Sequence, residues 1–484
     1  MTLDPEICWR AFRGRDRRFD GRFFLAVTTT GIYCRPGCPA KQPARRNVRF
    51  YASPAAAESA GFRACLRCRP DSAPGSAAWN GTSATVTRAL RLIDDGLLTH
   101  GSLERLASRL GITSRWLRRL FADQVGASPL EVARSRRAHF ARKLLAETAL
   151  PIEQVALAAG FGGARRLRDA MQATFHRPPV ALRGRRDAPP AAVDDPGALA
   201  LRLPARPPFD PRPTLAFLAA RAVPSVEHVS ERSYRRTIAL SSGEPAVIEL
   251  RADGSDCVTL LLPAAAAADL PRVVARATRA FDLDADVRGI AEHLSTDPRL
   301  RTALGTRHVR VPGSFDPFEA GVRALVGQQV SVAAARTLLG RIVAVHGAPL
   351  EPPADTLTHL FPSPRALADA PLERLGLTGP RARALRSFAT AVADGTLDLG
   401  SFTDLDDAVA RLTALPGIGE WTAHYLALRA LGEPDAFPAG DLHVRRALAT
   451  QGRVPTEREA IARAESWRPW RAYAVIALWT EGSR

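Results

Sequence analysis

Four cysteines in two close pairs are the strongest constraint on how the front of this chain folds. Cys34 and Cys38 stand in TTGIYCRPGCPA, and Cys65 and Cys68 stand in AGFRACLRC, after a gap of 26 residues. Two short turns that each present two sulfurs can surround one tetrahedral ion, so the spacing predicts a zinc site. Pairing of the cysteines as disulfides is the alternative.

The expected compartment favours metal over disulfides. The chain has no run of about 18 apolar residues, and its first residues contain acids but no apolar signal region. We therefore expect a cytoplasmic, nucleoid-associated protein with no membrane contact. Clustered cysteines in a reducing compartment bind metal more often than they pair. Cys8 and Cys257 are isolated and are interpreted as ordinary buried thiols.

The positive charge lies in the front of the chain. The net charge is +18, and residues 1–190 hold 33 Lys and Arg against 15 Asp and Glu, whereas residues 191–484 hold 34 of each. Lys41 and Lys143 are the only lysines. A preference for Arg over Lys affects both parts, so it does not explain the asymmetry. The charge predicts a polyanionic partner for the front, most simply nucleic acid.

The length and composition predict several domains. A chain of 484 residues with 46% hydrophobic residues exceeds the usual size of a single core. Linkers are predicted at the small-residue stretch 72–84 and at the Pro-, Ala- and Arg-rich stretch 184–213. We expect a multidomain, mainly α chain with α+β parts.

The amino-acid sequence around the cysteines resembles the N-terminal domain of the Ada family of alkylation repair proteins. FFLAVTTTGIYCRPGCPAKQPARRNVRFY and AGFRACLRCRP carry the resemblance. It implies a small zinc-bound α/β domain over 1–75 that holds one zinc ion through Cys34, Cys38, Cys65 and Cys68. It also implies that Cys34 accepts a methyl group from a DNA methylphosphotriester.

Zinc would keep Cys34 as a nucleophilic thiolate. Zinc with four thiolates has a formal charge of −2, and methylation of one sulfur makes it −1. Repulsion of phosphates then falls, so methylation should tighten DNA binding. A zinc scaffold that never reacts is the alternative.

Two similar helical units follow the cysteines. SLERLASRLGITSRWLRRLF and PIEQVALAAGFGGARRLRDAMQATF each read as helix, glycine turn and basic helix, with turns at Gly111 and Gly160. Their pattern resembles the AraC-type DNA-binding domain, expected over 82–186, although GGARRL replaces the serine that usually opens the second recognition helix. The expected DNA contacts are Arg115, Arg118, Arg119, Arg165, Arg166 and Arg168. A basic bundle with solvated arginines is the alternative.

The C-terminal part resembles the helix-hairpin-helix DNA glycosylases and, more closely, the AlkA family. LPGIGEWTAHYLALRA, with Gly417 and Gly419, is followed by DAFPAGDLHVRRAL, and PPFDPRPTLAFLAARAVPSVE, FDPFEAGVRALVGQQVSVAAAR and WRPWRAYAVIALWTEG extend the match. The resemblance implies a linker over 187–208, an antiparallel-sheet α/β domain over 209–287 and a helix-hairpin-helix glycosylase body over 288–484. The N–H groups that open the helix after Gly419 would hold a DNA phosphate.

Asp441 is the catalytic carboxylate that this resemblance implies. It would stabilise an oxocarbenium-like transition state or orient a water molecule. Asp435 and Asp404 are weaker candidates. The alternative for Asp441 is a surface or helix-capping role.

Aromatic and amide side chains complete the implied site. Trp421, Tyr425 and Trp479 would line a pocket that stacks electron-poor alkylated purines, or they would pack the core instead. Gln328 and Gln329 stand where the family inserts a loop into DNA, although the family has an apolar residue at the second position.

Two residue patterns that the sequence lacks limit the repair reactions expected of it. No lysine follows Lys143, and Trp421 stands where strand-cutting relatives carry Lys, so we expect a monofunctional glycosylase that leaves an abasic site. No cysteine lies in the P-C-H-R motif of the Ada O-alkylguanine acceptor, so that repair is not expected.

The combined prediction is an alkylation-response protein with two activities. It would excise 3-methyladenine and 7-methylguanine from double-stranded DNA and activate promoters once Cys34 is methylated. As an activator it would also contact RNA polymerase, and the resemblances imply a monomer. The rival interpretations are a transcription regulator with an inactive glycosylase body and a glycosylase with an unreactive DNA-binding front.

Overall fold

The structure is a computed structural model, and it describes residues 4–16, 19–65, 68, 70, 84–183, 198–252, 254, 256–402 and 404–481. The chain divides into two compact units. The front unit comprises Met1–Pro207, Asp256–Ala275 and Leu283–Ala285, and the rear unit comprises Pro208–Ser255, Arg276–Asp282 and Asp286–Arg484. Within these described ranges no helix has both the length and the apolar character needed to cross a membrane.

The front unit begins with a small four-stranded sheet. Its strands are β1 (Phe24–Val27), β2 (Ile32–Cys34), β3 (Val48–Tyr51) and β4 (Arg63–Ala64). Their order in the sheet is β3-β1-β2-β4; β1 is antiparallel to β2 and to β3, and β2 is parallel to β4. One core cluster of this part contains Phe12, Leu25, Val48 and the four cysteines of the predicted zinc site, which form no disulfide. The other elements are α1 (Pro5–Arg13), a 3-10 turn (Arg45–Asn47) and α2 (Pro54–Ser59).

Eight helices form the middle of the front unit. They are α3 (Ala84–Asp94), α4 (Leu97–His100), α5 (Leu103–Arg109), α6 (Ser114–Val125), α7 (Pro129–Glu147), α8 (Ile152–Ala158), α9 (Ala164–Phe175) and α10 (Pro179–Leu182). Gly111 and Gly160 take φ values of +67° and +75°, which an L side chain adopts only with strain. The two predicted helix-turn-helix units are therefore α5–α6 and α8–α9, with α7 between them.

A strand lies inside the predicted linker 187–208. β5 (Ala198–Pro204) pairs with β9 (Cys257–Pro263) along its whole length, and Arg202 N–H donates to Glu147 of α7 over 3.0 Å. Leu199, Leu201 and Leu203 are buried and their neighbours are not, which is the alternation of a β-strand. The Pro- and Arg-rich composition of the surrounding stretch favoured a linker over this pattern. The structure thus places ordered sheet where a linker was expected; residues 71–83 and 184–197 lie outside the described residues.

The rear unit combines a β-meander with a helical body. Strands β6 (Glu227–Val229), β7 (Ser233–Ala239) and β8 (Pro245–Arg251) pair antiparallel in sequence order. The helices are α11 (Arg212–Arg221), α13 (Val287–Leu294), α14 (Pro298–Leu304), α15 (Pro317–Val326), α16 (Val332–His346), α17 (Pro364–Ala368), α18 (Gly379–Ala393), α19 (Leu405–Thr413), α20 (Glu420–Arg429), α21 (Leu442–Ala447), α22 (Glu457–Ala464) and α23 (Arg471–Glu481). The remaining elements are α12 (Leu270–Ala280), which runs across the boundary between the units, the hairpin β10 (Pro349–Ala354) and β11 (Leu357–His359), and 3-10 turns at Ala264–Asp269, Leu372–Leu375 and Glu465–Trp467.

Buried ion pairs join the meander to the helical body within the rear unit. Arg323 of α15 lies 2.8 Å from Glu227 of β6 and 3.3 Å from Glu319. Arg236 of β7 pairs with the same Glu319 over 2.5 Å. Because each charge has partners of opposite sign, burial of the cluster is tolerated, and loss of one member would leave a buried charge unpaired. These pairs hold both the first and the last turn of α15, and the loop that contains Gln328 follows this helix.

Candidate metal centre, DNA interface and active site

The four predicted ligands lie together in the front unit. Cys34, Cys38, Cys65 and Cys68 are buried and unpaired, and their Sγ atoms all lie within 4.8 Å of one another. Sulfurs bound to one zinc ion at about 2.3 Å in a tetrahedron would stand about 3.8 Å apart. The cluster therefore fits one tetrahedral ion with an all-sulfur ligand set, which suits zinc.

Hydrogen bonds in the protein hold these sulfurs in place. Asp20 accepts the Gly37 N–H over 2.7 Å and pairs with Arg35 over 3.2 Å, which fixes the loop between the first two cysteines. Cys65 N–H donates to the Tyr33 carbonyl over 2.9 Å, which joins the end of β4 to β2. The fold thus brings the two cysteine pairs together through its own backbone.

The thiols strongly affect one another's ionisation. Hydrogen bonding with Cys38 raises the pKa of Cys34 above the ordinary thiol value. Hydrogen bonding with Cys34 lowers the pKa of Cys38 to about 7, and it also lowers the pKa of Cys65. Four sulfurs this close cannot all ionise without a cation between them, and a divalent metal supplies that charge.

Both basic helices point their arginines into solvent. Their apolar sides are buried through Leu117 and Phe121 in α6 and through Leu167 and Met171 in α9. The exposed arginines are the predicted ones: Arg115, Arg118, Arg119, Arg165, Arg166 and Arg168. Within the described part of the chain, their pairs with acidic side chains are long surface contacts, Arg118 with Glu104 at 4.0 Å and Arg119 with Asp123 at 3.9 Å. Such pairs are weak and leave the guanidinium groups able to meet phosphate.

A glutamate takes over the capping role of the missing serine in the second unit. Gly163 precedes α9 with a φ of +139° and has no side chain to cap the helix. Glu153 of α8 instead accepts the Ala164 N–H over 3.2 Å. Nothing in the local sequence indicates this role of Glu153, because the contact joins positions 11 apart in the chain.

The predicted hairpin joins α19 and α20. Gly417 has a φ of +78°, and a Cβ there would lie 2.4 Å from Ala384 Cβ, so both the backbone and the space require glycine. Gly419 occupies the N-cap of α20, is exposed and has nothing within 4 Å of its Cβ position. The first N–H groups of α20 thus have no side-chain cap, as phosphate binding at a helix start requires.

The two predicted loop glutamines have different surroundings. Gln328 donates to the Gly417 carbonyl over 2.9 Å and to Thr422 over 3.0 Å, so it braces the hairpin from inside. Gln329 is exposed and takes a φ of +56°, in the left-handed region. Of the pair, Gln329 is the side chain presented to solvent between α15 and α16.

Asp441 accepts three N–H groups. Trp421 Nε1 donates to Oδ2 over 3.0 Å, Trp479 Nε1 donates to Oδ1 over 3.1 Å, and Val444 N–H donates to Oδ1 over 2.9 Å. Asp441 is 7% exposed and is the N-cap of α21. Asp441 therefore caps α21, as the alternative for this residue predicted, and binds two indoles at the same time; its catalytic role stays a prediction.

The three predicted pocket aromatics form one cluster, in which Trp421 and Trp479 contact the carboxylate and Tyr425 contacts both of their rings. Trp421 and Tyr425 stack with centroids 5.4 Å apart and planes at 20°, and Tyr425 lies 6.2 Å from Trp479. All three are half-buried rather than enclosed in the core. At these separations no base fits between the rings, so a flipped base would stack on an outer face.

Phe217 of α11, which no prediction from the sequence included, contacts two arginines that both interact with Tyr425. The guanidinium carbons of Arg221 and Arg429 lie 3.8 Å and 4.5 Å from the centre of its ring. Burial lowers the pKa of Arg429 to about 10, while the Tyr425 hydroxyl acts in the opposite direction. The signal was present in the sequence, since Phe217 lies within the stretch PPFDPRPTLAFLAARAVPSVE.

The other two acids have structural roles. Asp435 pairs with Arg471 over 2.7 Å and also with Arg468. Asp404 caps α19 by accepting the Asp407 N–H over 2.8 Å. Neither has a recorded contact with the aromatic cluster in the part of the chain that the structure describes.

Four family models match the chain in sequence order. The metal-binding domain of Ada matches residues 7–71, a helix-turn-helix domain matches 106–185, and the AlkA N-terminal domain matches 200–316. The HhH-GPD superfamily base excision DNA repair protein model matches 322–472.

Known proteins match parts or all of the chain. A "Probable bifunctional transcriptional activator/DNA repair enzyme AlkA" of Mycobacterium tuberculosis is 44% identical over 483 residues, which are 99% of this chain and 97% of that protein. DNA-3-methyladenine glycosylase 2 of Escherichia coli is 35% identical over 281 residues, 57% of this chain and 96% of that one. A solved 3-methyladenine DNA glycosylase from Archaeoglobus fulgidus shares the fold, with a TM-score of 0.50, 21% identity, and coverage of 58% of this chain and 98% of its own.

Proposed function

Because the chain belongs to the family of bifunctional transcriptional activator/DNA repair enzymes, we propose that it senses DNA alkylation at Cys34 and excises alkylated purines at Asp441. The rear unit is a DNA glycosylase of the HhH-GPD superfamily. The front unit carries an Ada-type metal-binding domain and a helix-turn-helix DNA-binding domain. The protein thus acts in DNA repair and in transcription activation.

The proposed repair activity is that of DNA-3-methyladenine glycosylase II. The damaged purine is flipped from the duplex and stacks on the outer face of the half-buried aromatic cluster. N-alkylated purines are electron-poor and often cationic, so aromatic faces attract them more than normal bases. Gln329, exposed on its loop, is proposed to face the DNA while Gln328 holds the hairpin beside it. The helix start after Gly419 is proposed to bind a backbone phosphate.

One observation carries the catalytic proposal: Asp441 is oriented by three N–H donors, two of which are indoles of the aromatic cluster. As the bond between the base and the sugar carbon C1′ breaks, positive charge develops on the sugar. The fixed carboxylate stabilises that charge without having to reorganise. Water adds its oxygen to C1′, its proton is released, and the base leaves with the bond electrons.

The chemistry proposed for the rear unit ends at the abasic site. Strand cleavage by a glycosylase requires an amine that forms a Schiff base with the sugar. The chain has no lysine after Lys143. Water therefore remains the nucleophile, and the activity is monofunctional.

The front unit is proposed to take up one methyl group in a single irreversible step. The Cys34 sulfur attacks the methyl carbon of a methylphosphotriester, the carbon–oxygen bond breaks, and the phosphodiester leaves as an anion. Zinc bound by the four cysteines would keep that sulfur in its thiolate form. Asp20 and the backbone of Tyr33 hold the loop and strand that present the sulfur.

Methylation is proposed to switch promoter binding through loss of one negative charge beside the DNA. The exposed arginines of α6 and α9 supply the phosphate and base contacts. We further propose that the protein acts as a cytoplasmic monomer on the nucleoid and that the bound activator contacts RNA polymerase.

Asp441→Asn tests the glycosylase proposal. The amide oxygen of asparagine can still cap α21, but the side chain carries no charge and its NH2 group cannot accept the Trp421 indole N–H. We expect release of 7-methylguanine from methylated duplex DNA to fall by a factor of about 100 or more, since removal of one electrostatic contact at such a site costs that much. Asp435→Asn is the matched control. If Asp441→Asn releases the base at the wild-type rate, Asp441 is not the catalytic carboxylate, and the interpretation as a transcription regulator with an inactive glycosylase body becomes the better one.

Peptide mass spectrometry tests the sensor proposal. Zinc-loaded protein incubated with methylated duplex DNA should gain one methyl group on the peptide that contains Cys34. Cys34→Ser should gain none, and Cys8→Ser, a buried thiol outside the cluster, should behave as wild type. If the protein binds zinc but gains no methyl group, the four cysteines serve only as a structural zinc site. That result would favour the interpretation as a glycosylase with an unreactive DNA-binding front.

A further inference from the structure

A buried polar cluster joins the sheet that carries Cys34 to the helices that carry the arginines. Tyr33, the residue before Cys34, donates its hydroxyl hydrogen to Glu58 Oε1 over 2.7 Å. His139 Nε2 lies 2.6 Å from the same oxygen and 3.1 Å from the Tyr33 hydroxyl. Tyr33 has no exposed surface, and His139 is 8% exposed. Side chains from β2, α2 and α7 thus meet at one carboxylate oxygen.

Side-chain hydrogen bonds also connect both ends of the short helix α2 to neighbouring helices. Its cap, Ser53, donates from Oγ to the carbonyl of Val125, the last residue of α6, over 2.9 Å. At the other end, Ser59 donates to Glu131 of α7 over 2.9 Å. With Glu58 between these contacts, α2 is fixed across the junction of α6 and α7.

The cluster continues to the second recognition helix. The His139 ring meets the Phe175 ring of α9 edge-on, with centroids 5.1 Å apart and planes at 90°. Phe175 is 1% exposed and is the last residue of α9, whose first half exposes Arg165, Arg166 and Arg168. Buried hydrogen bonds to a carboxylate are strong and geometrically specific, so a displacement at one end is not absorbed within the cluster.

We propose that Tyr33, Glu58 and His139 are positioning residues through which the state of the four-cysteine site sets the placement of α9. Tyr33 is held on both sides, because its carbonyl accepts the Cys65 N–H and its hydroxyl binds Glu58. A movement of β2 when the sulfurs take up metal, or when Cys34 is methylated, is therefore passed to α7 and α9. The methylation part of this inference rests on the proposed function, whereas the metal part rests only on the cysteine cluster.

Amide hydrogen exchange in the full-length protein tests the metal part. In wild type we expect the amides of 164–175 to exchange about tenfold more slowly with zinc than after chelation. Tyr33→Phe removes one hydroxyl and should lose most of that difference while zinc content and cobalt–thiolate absorption stay normal. Tyr51→Phe, the same change on β3 of the same sheet, is the matched control and should keep the difference.

Two results would overturn the inference. One is the absence of a zinc-dependent change in wild-type α9, and the other is equal behaviour of Tyr33→Phe and Tyr51→Phe. If Tyr33→Phe fails to bind zinc, His139→Gln takes its place, since that change lies outside the sheet. Loss of the zinc-dependent difference in His139→Gln supports the inference, and its retention refutes it.

Promoter affinity tests the methylation part. The DNA is a duplex from upstream of the protein's own gene, and the quantity measured is the factor by which methylation increases affinity for it. We expect this factor to be about tenfold smaller in Tyr33→Phe than in wild type, which is within the usual range of coupling between sites. An unchanged factor refutes this part. Failure of wild type to take up methyl refutes the role of Cys34, and the exchange measurement then decides the role of the cluster by itself.

Discussion

Trp479→Phe isolates the contribution of one indole N–H to catalysis. The indole donates to Asp441 Oδ1 over 3.1 Å, and this oxygen also accepts the Val444 N–H that opens α21. Phenylalanine keeps an aromatic ring next to Tyr425 but removes the donor, so one of three restraints on the carboxylate is lost. A hydrogen bond to a charged group is worth about 1.5 to 3 kcal/mol. If that restraint acts in the transition state, the excision rate falls by a factor of about 10 to 150.

The assay is the single-turnover release of 7-methylguanine from duplex DNA, with thermal unfolding measured in parallel. Trp467→Phe is the matched control, because the Trp467 indole donates to another carboxylate, Asp297, over 3.0 Å in the same rear unit. We expect both variants to lose stability but only Trp479→Phe to lose excision rate. A rate within about threefold of wild type, or equal losses in both variants, would refute the positioning role.

Three further predictions concern both units. Borohydride should trap no covalent adduct with damaged DNA, since no lysine follows Lys143; a trapped adduct would contradict a monofunctional mechanism. Chelation of the metal should lower the melting temperature of the front unit and leave excision unchanged, and a matching loss of excision would show that the metal also serves the rear unit. Glu153→Ala should destabilise α9 by about 1 kcal/mol through loss of its cap and weaken promoter binding, whereas Glu104→Ala, which removes only a 4.0 Å surface contact, should do neither.

Features encoded in short stretches were predicted from the sequence. The glycine turns at Gly111 and Gly160 and the two cysteine pairs follow from local spacing, and the structure confirms them. The site around Asp441 was predicted from sequence motifs that resemble those of the AlkA family, and its residues do lie together. The catalytic and DNA-binding roles assigned to these residues remain predictions.

Features made by distant contacts were not predicted. Glu58 and His139 are 81 positions apart, and nothing near either residue indicates the other. The capping of α9 by Glu153 depends on how α8 lies against α9. The strand β5 was missed because its alternating leucines stand in a stretch whose prolines and arginines favour an irregular linker. In each case the information lies in packing rather than in local pattern.

The pairing of β5 with β9 decides where the glycosylase part can be separated from the rest. A fragment that starts at residue 209 lacks β5 and leaves the whole flank of β9 without its partner, which invites association with other chains. A fragment that starts at Ala198 keeps that flank covered. The same reasoning applies to ancestry: if two genes were once joined to make this chain, the sheet requires the junction to precede Ala198, on the N-terminal side of the strand rather than after it.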